Sequence, residues 1–447
     1  LTERGNSGVR YDRSALWVIA LCGLTIIFDG YDLIVYGAVL PALLSYEPWG
    51  LTPVQAGAIG SYALIGMLIG ALVVGTITDI VGRRKIMLFC ITWFSLAMGL
   101  CAMAPSAELF GFFRFIAGLG LGGVVPTAIA LTIEYAPPDW RTLANSIMFS
   151  GYSVGGILAA LLAIVLLPDF GFRTMFWIGL LPLVTLVPLA WKFLPESVGF
   201  LAANGRWEEA EALARRYGLP LEREDASSPA ASAEGQGRLA ALSSLFSRSY
   251  VVPTLLFWFA TFIGLLLVYG FNTWLPQIMR EAGYPLGSAL SFLLVLNLGA
   301  ILGTPVAGAL ADRFGRKRVT TICFLAAAMC IGLLSFPLPV LGLYALVAVA
   351  GLGTIGTTIL VNAYCAQYYP AGSRATGLGW ALGIGRLGAI LGPIFGGFIA
   401  ASQLGFEWNF YAFAVLAVLG GLLILLVPRS PTERPSAPAE ERVAQTI

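Results

Sequence analysis

The sequence predicts an all-α, polytopic membrane protein with twelve transmembrane helices in two pseudo-symmetric six-helix bundles. Three observations predict it. The 447 residues are 58% hydrophobic and 11% charged, with no histidine, whereas a soluble domain carries about 25% charged residues; mean hydropathy is +0.84. Apolar runs long enough to cross a bilayer, ~20 residues as a helix, recur twelve times. The second half also repeats residues of the first at one constant offset.

The first six runs lie near residues 16–44, 54–78, 86–104, 107–133, 143–167 and 172–194. Six more lie near 250–276, 286–311, 318–336, 338–362, 375–401 and 406–427. They are too long and too evenly apolar for the alternating strands of an outer-membrane barrel. The chain therefore divides into a bundle over 1–194, a polar loop over 195–249, a second bundle over 250–428 and a tail over 429–447. In the loop, Arg206 to Tyr217 (RWEEAEALARRY) has helical spacing and mixed charge, which predicts a short surface helix. Residues 226–237 (ASSPAASAEGQG) read as a flexible linker, and the Pro-rich charged tail as disordered. The first run is long and follows a charged stretch, so it reads as a span rather than a cleavable signal; a native start upstream of Leu1 is expected.

Lysine and arginine orient the spans. With the amino terminus cytoplasmic, all but four of the 26 fall on the cytoplasmic side; Arg173 and Arg280 lie opposite, and Arg114 and Arg386 fall within spans. This asymmetry predicts an inner-membrane protein with both ends in the cytoplasm. A net charge of +2 offers no nucleic-acid-binding face. Cys22, Cys90, Cys101, Cys323, Cys330 and Cys365 lie in apolar stretches without CxxC spacing, so they read as packing residues rather than disulfide or zinc positions. Without histidine there is no Ser/His or Cys/His constellation, and no GK[ST] phosphate loop occurs. An enzyme is not expected, nor is a cofactor or metal.

Adding 233 maps Tyr36 and Gly37 onto Tyr269 and Gly270, and Gly66 and Gly70 onto Gly299 and Gly303. It likewise maps Gly75, Asp79, Gly82 and Arg83 onto Gly308, Asp312, Gly315 and Arg316, and Pro137 and Arg141 onto Pro370 and Arg374. Chance matches between glycines do not keep charged loop residues in register; two homologous bundles do, and a parallel repeat suits alternating access around a central site. The duplicated loops read GTITDIVGRRK (Gly75 to Lys85) and GALADRFGRKR (Gly308 to Arg318). Here the chain resembles the major facilitator superfamily, whose signature is G-x-x-x-D-x-x-G-R-[RK], over essentially all of its membrane-embedded length. The candidate gating residues are Gly75, Asp79, Arg83, Arg141, Gly308, Asp312 and Arg316. Glycine permits close helix approach, aspartate can face a helix amino terminus, and the arginines can reach acidic partners. Asp79, Arg83, Glu134 and Arg141 are expected to lock the cytoplasmic side in the outward-facing state.

A charge at mid-membrane costs about 2.5–3.5 kcal/mol on insertion scales, so each one invites a role. Asp29 lies ~21 Å along its helix from Ala15, Asp32 one turn further, and Arg386 ~18 Å beyond Arg374. Arg114 precedes the Gly-rich run GLGLGGVVP. Their counterparts in the repeat are Phe262, Leu265, Ser153 and Val347 respectively, so the scaffold is duplicated and these charges are not. For Arg114, an ion pair inside the bundle and a contact to substrate stand equal; for Asp29, Asp32 and Arg386 the functional reading is preferred.

The segments DGYDLIVYG (Asp29 to Gly37) and RFIAGLGLGGVVPTAIALTIEYAP (Arg114 to Pro137) look like the aromatic acid:proton symporter family of that superfamily. The resemblance implies benzoate-like or hydroxybenzoate-like substrates bound for catabolism, and a transport role for the paired aspartates. With no histidine, proton coupling falls to carboxylates: Asp29, Asp32 and Glu134. The Arg386 fork can hold a carboxylate in bidentate fashion, with Arg114 as a second cation. Tyr36, Tyr152, Trp274 and Trp380 are candidates for an aromatic wall. Asn272, Asn297 and Asn362 are candidates for ring hydroxyls, against the plainer reading of interhelical bonds. The expected activity is proton-coupled import of an aromatic carboxylate by a monomer whose partners are substrate, protons and the lipid bilayer. The alternative is a proton-linked porter or exporter of another metabolite or organic acid.

Overall fold

The computed structural model describes residues 14–219, 243–402 and 404–428, and the secondary structure among them is helical. The 226–237 linker and the tail beyond Pro428 lie outside the described residues. The first bundle comprises α1 (Ser14–Leu44), α2 (Pro53–Val81), α3 (Arg83–Met103), α4 (Ala107–Tyr135), α5 (Arg141–Phe170) and α6 (Phe172–Phe193). Two short helices follow, α7 (Val198–Ala203) and α8 (Trp207–Tyr217), the latter on the predicted amphipathic segment with Ala210, Ala214 and Tyr217 buried. The second bundle comprises α9 (Val251–Glu281), α10 (Leu286–Phe314), α11 (Arg316–Leu333), α12 (Val340–Tyr368), α13 (Ala371–Ala401) and α14 (Phe406–Leu426).

Among the described residues, eleven of these helices are long and apolar enough to cross a membrane. The twelfth span is α11, whose 18 residues open on Arg316, Lys317 and Arg318, so basic residues dilute a short apolar stretch. α6 is broken after Ile178 and again at Thr185; Pro182 and Pro188 lack the N–H that would continue the ladder. α2 starts on Thr52, which with Gln55 forms a capping box, and Pro53 takes the first turn.

The duplication is visible in the backbone. α2 and α10, and likewise α4 and α12, begin and end 233 residues apart, and α3 and α11 begin at the same separation. Both signature loops turn on one glycine at positive φ, 103° at Gly82 and 94° at Gly315, a region L-residues enter at a cost. We call the end of the molecule that carries these arginine-rich loops the basic end, and the opposite end the outer end.

Glycine seams set the helices that flank the centre. Gly151 and Gly155 on α5 lie against α1 at the carbonyls of Gly23 and Ile27, and Gly30 on α1 lies against the backbone of Tyr152. In the second bundle, Gly388 and Gly392 on α13 meet the carbonyls of Phe262 and Leu266 on α9. Such contacts bring backbones close enough for dispersion to hold helices together where lipid supplies no hydrophobic drive. They also fix Asp29 and Tyr152 in one bundle, and Tyr269 and Arg386 in the other.

The bundles meet in their outer halves. A Cβ on Gly57 would strike the Pro393 carbonyl, one on Gly37 the Asn272 carbonyl, and one on Gly156 the Asn297 amide. Ser61 Oγ donates across the same seam to the Ile390 carbonyl, at 2.5 Å. Towards the basic end the seam parts. Gly75 lies about five turns from Gly57 on the same face of α2, and a Cβ there would meet nothing within 4 Å. Gly379 stands in the same relation to Gly397 on α13: Gly397 touches Gly57, and Gly379 faces open space. The close approach expected at Gly75, and at Gly308, is therefore absent in this conformation.

Candidate functional site between the two bundles

Four polar side chains converge at mid-height of the seam, two from each bundle. Asp29 on α1 is 1% exposed, and its Oδ1 has no hydrogen-bond partner. Arg386 on α13 is close enough for its charge to act on Asp29. Between them stand Tyr152 on α5 and Tyr269 on α9, both half-buried. Tyr269 lies close enough to Arg386, Asp29 and Tyr152 for their charges and dipoles to act on its phenol. Arg386 is itself half-buried, so the cluster is not sealed. Chemically it offers one carboxyl for a proton, one guanidinium fork for an anion and two phenols to orient a ring.

Asp32 and Arg114 are placed differently. Arg114 Nη1 donates to Asp32 Oδ1 at 2.6 Å, with both side chains 1% exposed, and Nη2 donates to the Asp32 carbonyl at 3.2 Å. The guanidinium also lies 5.9 Å from the Tyr36 ring and 6.0 Å from Phe176. This is an ion pair inside the first bundle, one of the two readings open for Arg114. Tyr36 belongs to the same core: it is 2% exposed and its hydroxyl donates to the Ala56 carbonyl at 2.5 Å.

The other candidates are dispersed. Trp274 is fully buried, with Nε1 on the Pro393 carbonyl at 2.8 Å, and so packs α9 against α13. Trp380 is 44% exposed and stacks on Trp258. Asn297 Nδ2 donates to Asn272 Oδ1 at 3.3 Å, and both amides also bond their own helix backbones. Asn297 Oδ1 is buried without a partner at the seam, beside Gly156. Asn362 sits near the basic end of α12, also with a buried unpartnered Oδ1.

At the basic end, Glu134 Oε2 accepts from Arg83 Nη1 at 2.8 Å and from Ser197 Oγ at 2.7 Å, and Oε1 accepts from the Gly199 N–H at 2.9 Å. This network lies within the first bundle and its following helix α7, far from Asp29. The side chain of Asp79 lies outside the described residues, and Arg141 Nε has no hydrogen-bond partner. The second copy is wired otherwise: Arg316 donates to the Ala363 carbonyl at 3.0 Å and to Asp312 at 3.2 Å, and Gln367 stands at the position matching Glu134.

Reading residues alone missed Tyr269 and the seam pair Ser61 and Ile390. The repeat had marked Tyr269, but only as a match to Tyr36; its value lay in the different surroundings of the two copies.

A two-bundle membrane fold with ionisable side chains from both bundles gathered on its internal seam is the build of a secondary transporter, not an enzyme. The chain belongs to the major facilitator superfamily, matching the family described as Sugar (and other) transporter over residues 16–431. It is 42% identical to the benzoate transport protein of Acinetobacter baylyi, over 92% of this chain and 89% of that protein. It is 39% identical to the gentisate transporter of Corynebacterium glutamicum, over 96% and 90% respectively. It is 35% identical to the gallate transporter of Pseudomonas putida, over 91% and 90%. In fold it matches the xylose transporter of E. coli solved in an inward open conformation, with a TM-score of 0.73 at 18% identity over 94% of this chain and 98% of that one.

Proposed function

We propose that the chain imports benzoate-type aromatic carboxylates together with protons across the inner membrane, as a monomer with both termini in the cytoplasm. The observation that carries this reading is the convergence of Asp29 and Arg386 from opposite bundles on one half-open cluster with two tyrosines. The whole-length relatives are named for benzoate, gentisate and gallate, acids that share a ring and a carboxylate. Arg386 takes the carboxylate; Tyr152 and Tyr269 flank the ring; Asp29 takes the proton. The basic end is the cytoplasmic one, so the parted seam at Gly75 and Gly379 makes this conformation inward-open. Arg83 and Glu134 brace the first bundle there, ready to meet the second when the cytoplasmic side closes.

Asp32, held by Arg114, keeps the middle of α1 in place, which leaves Asp29 as the coupling carboxyl. One proton with one monoanion moves no net charge. Accumulation then follows the pH gradient and ignores the membrane potential, which would otherwise contribute about 2.3 kcal/mol per charge per 100 mV.

Two measurements on purified protein in proteoliposomes test this. Arg386→Ala is expected to weaken benzoate binding by about 10- to 100-fold, the worth of a charge-assisted bond; unchanged affinity removes Arg386 from the site. Asp29→Asn is expected to abolish pH-driven accumulation yet keep benzoate exchange. Acid-driven accumulation at the wild-type level in that variant would refute the coupling role.

A further inference from the structure

The repeat supplies an internal comparison for the two signature turns. In the first copy the turn is covered: Glu196, just ahead of α7, accepts from the Arg84 N–H at 3.0 Å, and a Cβ on Gly82 would strike its carboxylate and the Phe200 ring. In the second copy a Cβ on Gly315 would meet nothing within 4 Å among the described residues. The matching place is a cavity of about 870 Å³ whose lining includes Asp312, Arg316, Lys317, Arg318 and Gln367. Three cations there face one carboxylate, and that carboxylate pairs with Arg316 at 3.2 Å. The second copy thus keeps the cations of the turn, while the position matching Glu196 is Arg429. The outward wall of the cavity is apolar: Phe314, Ile322 and Leu425 line it, each more than half exposed. Beyond Arg318 on α11, Ile322, Leu325 and Met329 recur at the spacing of one helix face, all exposed.

We propose that this cavity binds the headgroup of an anionic phospholipid, with the phosphate at Arg318 and Lys317 and an acyl chain along the exposed face of α11. The spans α10 and α14 end here and α11 begins, so the cavity lies where helices meet the bilayer surface. A cationic cluster beside an exposed apolar strip suits a molecule with both a charged head and a hydrocarbon tail. Free phosphate would use the cations alone. A glutamate from residues 429–447 would likewise leave the strip bare, and Arg429 brings a further positive charge to the position where the first copy has its acid. Each basic residue near a membrane surface raises affinity for anionic lipid about fivefold. The site is separate from the seam cluster and does not depend on which solute the carrier moves.

The test titrates the full chain, purified in detergent, with phosphatidylglycerol or with phosphatidylcholine, and counts bound lipid by native mass spectrometry. The wild type is expected to hold one phosphatidylglycerol about tenfold or more tightly than phosphatidylcholine. Arg318→Gln should weaken phosphatidylglycerol binding about fivefold, and Lys317→Gln combined with Arg318→Gln about 25-fold. Lys85→Gln, at the position matching Arg318 in the covered first copy, should leave that affinity unchanged. Equal binding of the two lipids, or a loss in Lys85→Gln as large as in Arg318→Gln, overturns the proposal. If the double variant does not fold, Arg318→Gln alone decides, because that side chain is exposed. The rival occupants give opposite results. If the segment 429–447 fills the cavity, replacing Glu433, Glu440 and Glu441 by Gln tightens lipid binding; if a free anion is the ligand, inorganic phosphate displaces the lipid at constant ionic strength. Either result overturns the proposal, and no effect from either supports it.

Discussion

Arg114→Leu is expected to cost the folded carrier about 3–5 kcal/mol, because it strands the Asp32 carboxylate in an apolar core without its cation. The pair is 1% exposed on both sides and bonded at 2.6 Å, with a second bond from Nη2 to the Asp32 carbonyl. The check is the thermal midpoint of the detergent-purified protein, which should fall well below that of the wild type. Asp32→Leu alone should do similar harm by stranding Arg114, whereas the double variant should recover most of the loss, since two well-packed leucines leave no orphaned charge. A single variant as stable as the wild type would mean that the pair is not a structural element. Transport by the double variant then becomes informative: if Asp29 alone carries the proton, pH-driven uptake returns with stability.

Gly57→Leu is expected to abolish net transport while preserving the fold. In this conformation a Cβ at position 57 meets the Pro393 carbonyl and the Cα atoms of Ile394 and Gly397, all backbone of the opposite bundle. Backbone cannot step aside by rotating a bond, so the outer seam must stay apart and the carrier is held open to the outside. Binding of external benzoate should survive and delivery to the inside should not. A cysteine placed at Gly75, which has open space here, should be labelled more slowly from the cytoplasmic side in the Gly57→Leu background. Labelling at the wild-type rate would show that the outer seam does not control the cytoplasmic opening.

Most of the architecture was legible because membrane spans announce themselves by length and composition, and because the motif loops keep their charges in register. The signature segments, read as loops over 75–85 and 308–318, are instead helical up to Val81 and Phe314 and again from Arg83 and Arg316, with a single glycine as each turn. The site was legible only in part. Asp29 and Arg386 stood out because charge at mid-membrane is costly, and the structure brings them to one seam. Asp32 looked like a twin of Asp29, yet one helical turn was enough to aim it at Arg114, 82 residues away in sequence, instead of at the other bundle. Tyr36 and Trp274 were indistinguishable from seam aromatics for a related reason. These spans are apolar on every face, so no polar stripe tells which side of a helix looks at lipid, at its own bundle or at the other one. Tyr269 escaped notice because a phenol within a span is unremarkable until its neighbours are known.

From the first residue of α2 to the last of α4, neither copy has gained or lost a position relative to the other. An extra residue inside a helix would rotate everything beyond it by about 100°, swinging glycines off their partner backbones and carrying bulky side chains into the gaps. Spacing along this stretch is therefore more tightly held than chemistry: leucine can drift to valine, but the count cannot drift by one. The two halves can differ in what they bind because they have not been free to differ in how far apart their parts lie.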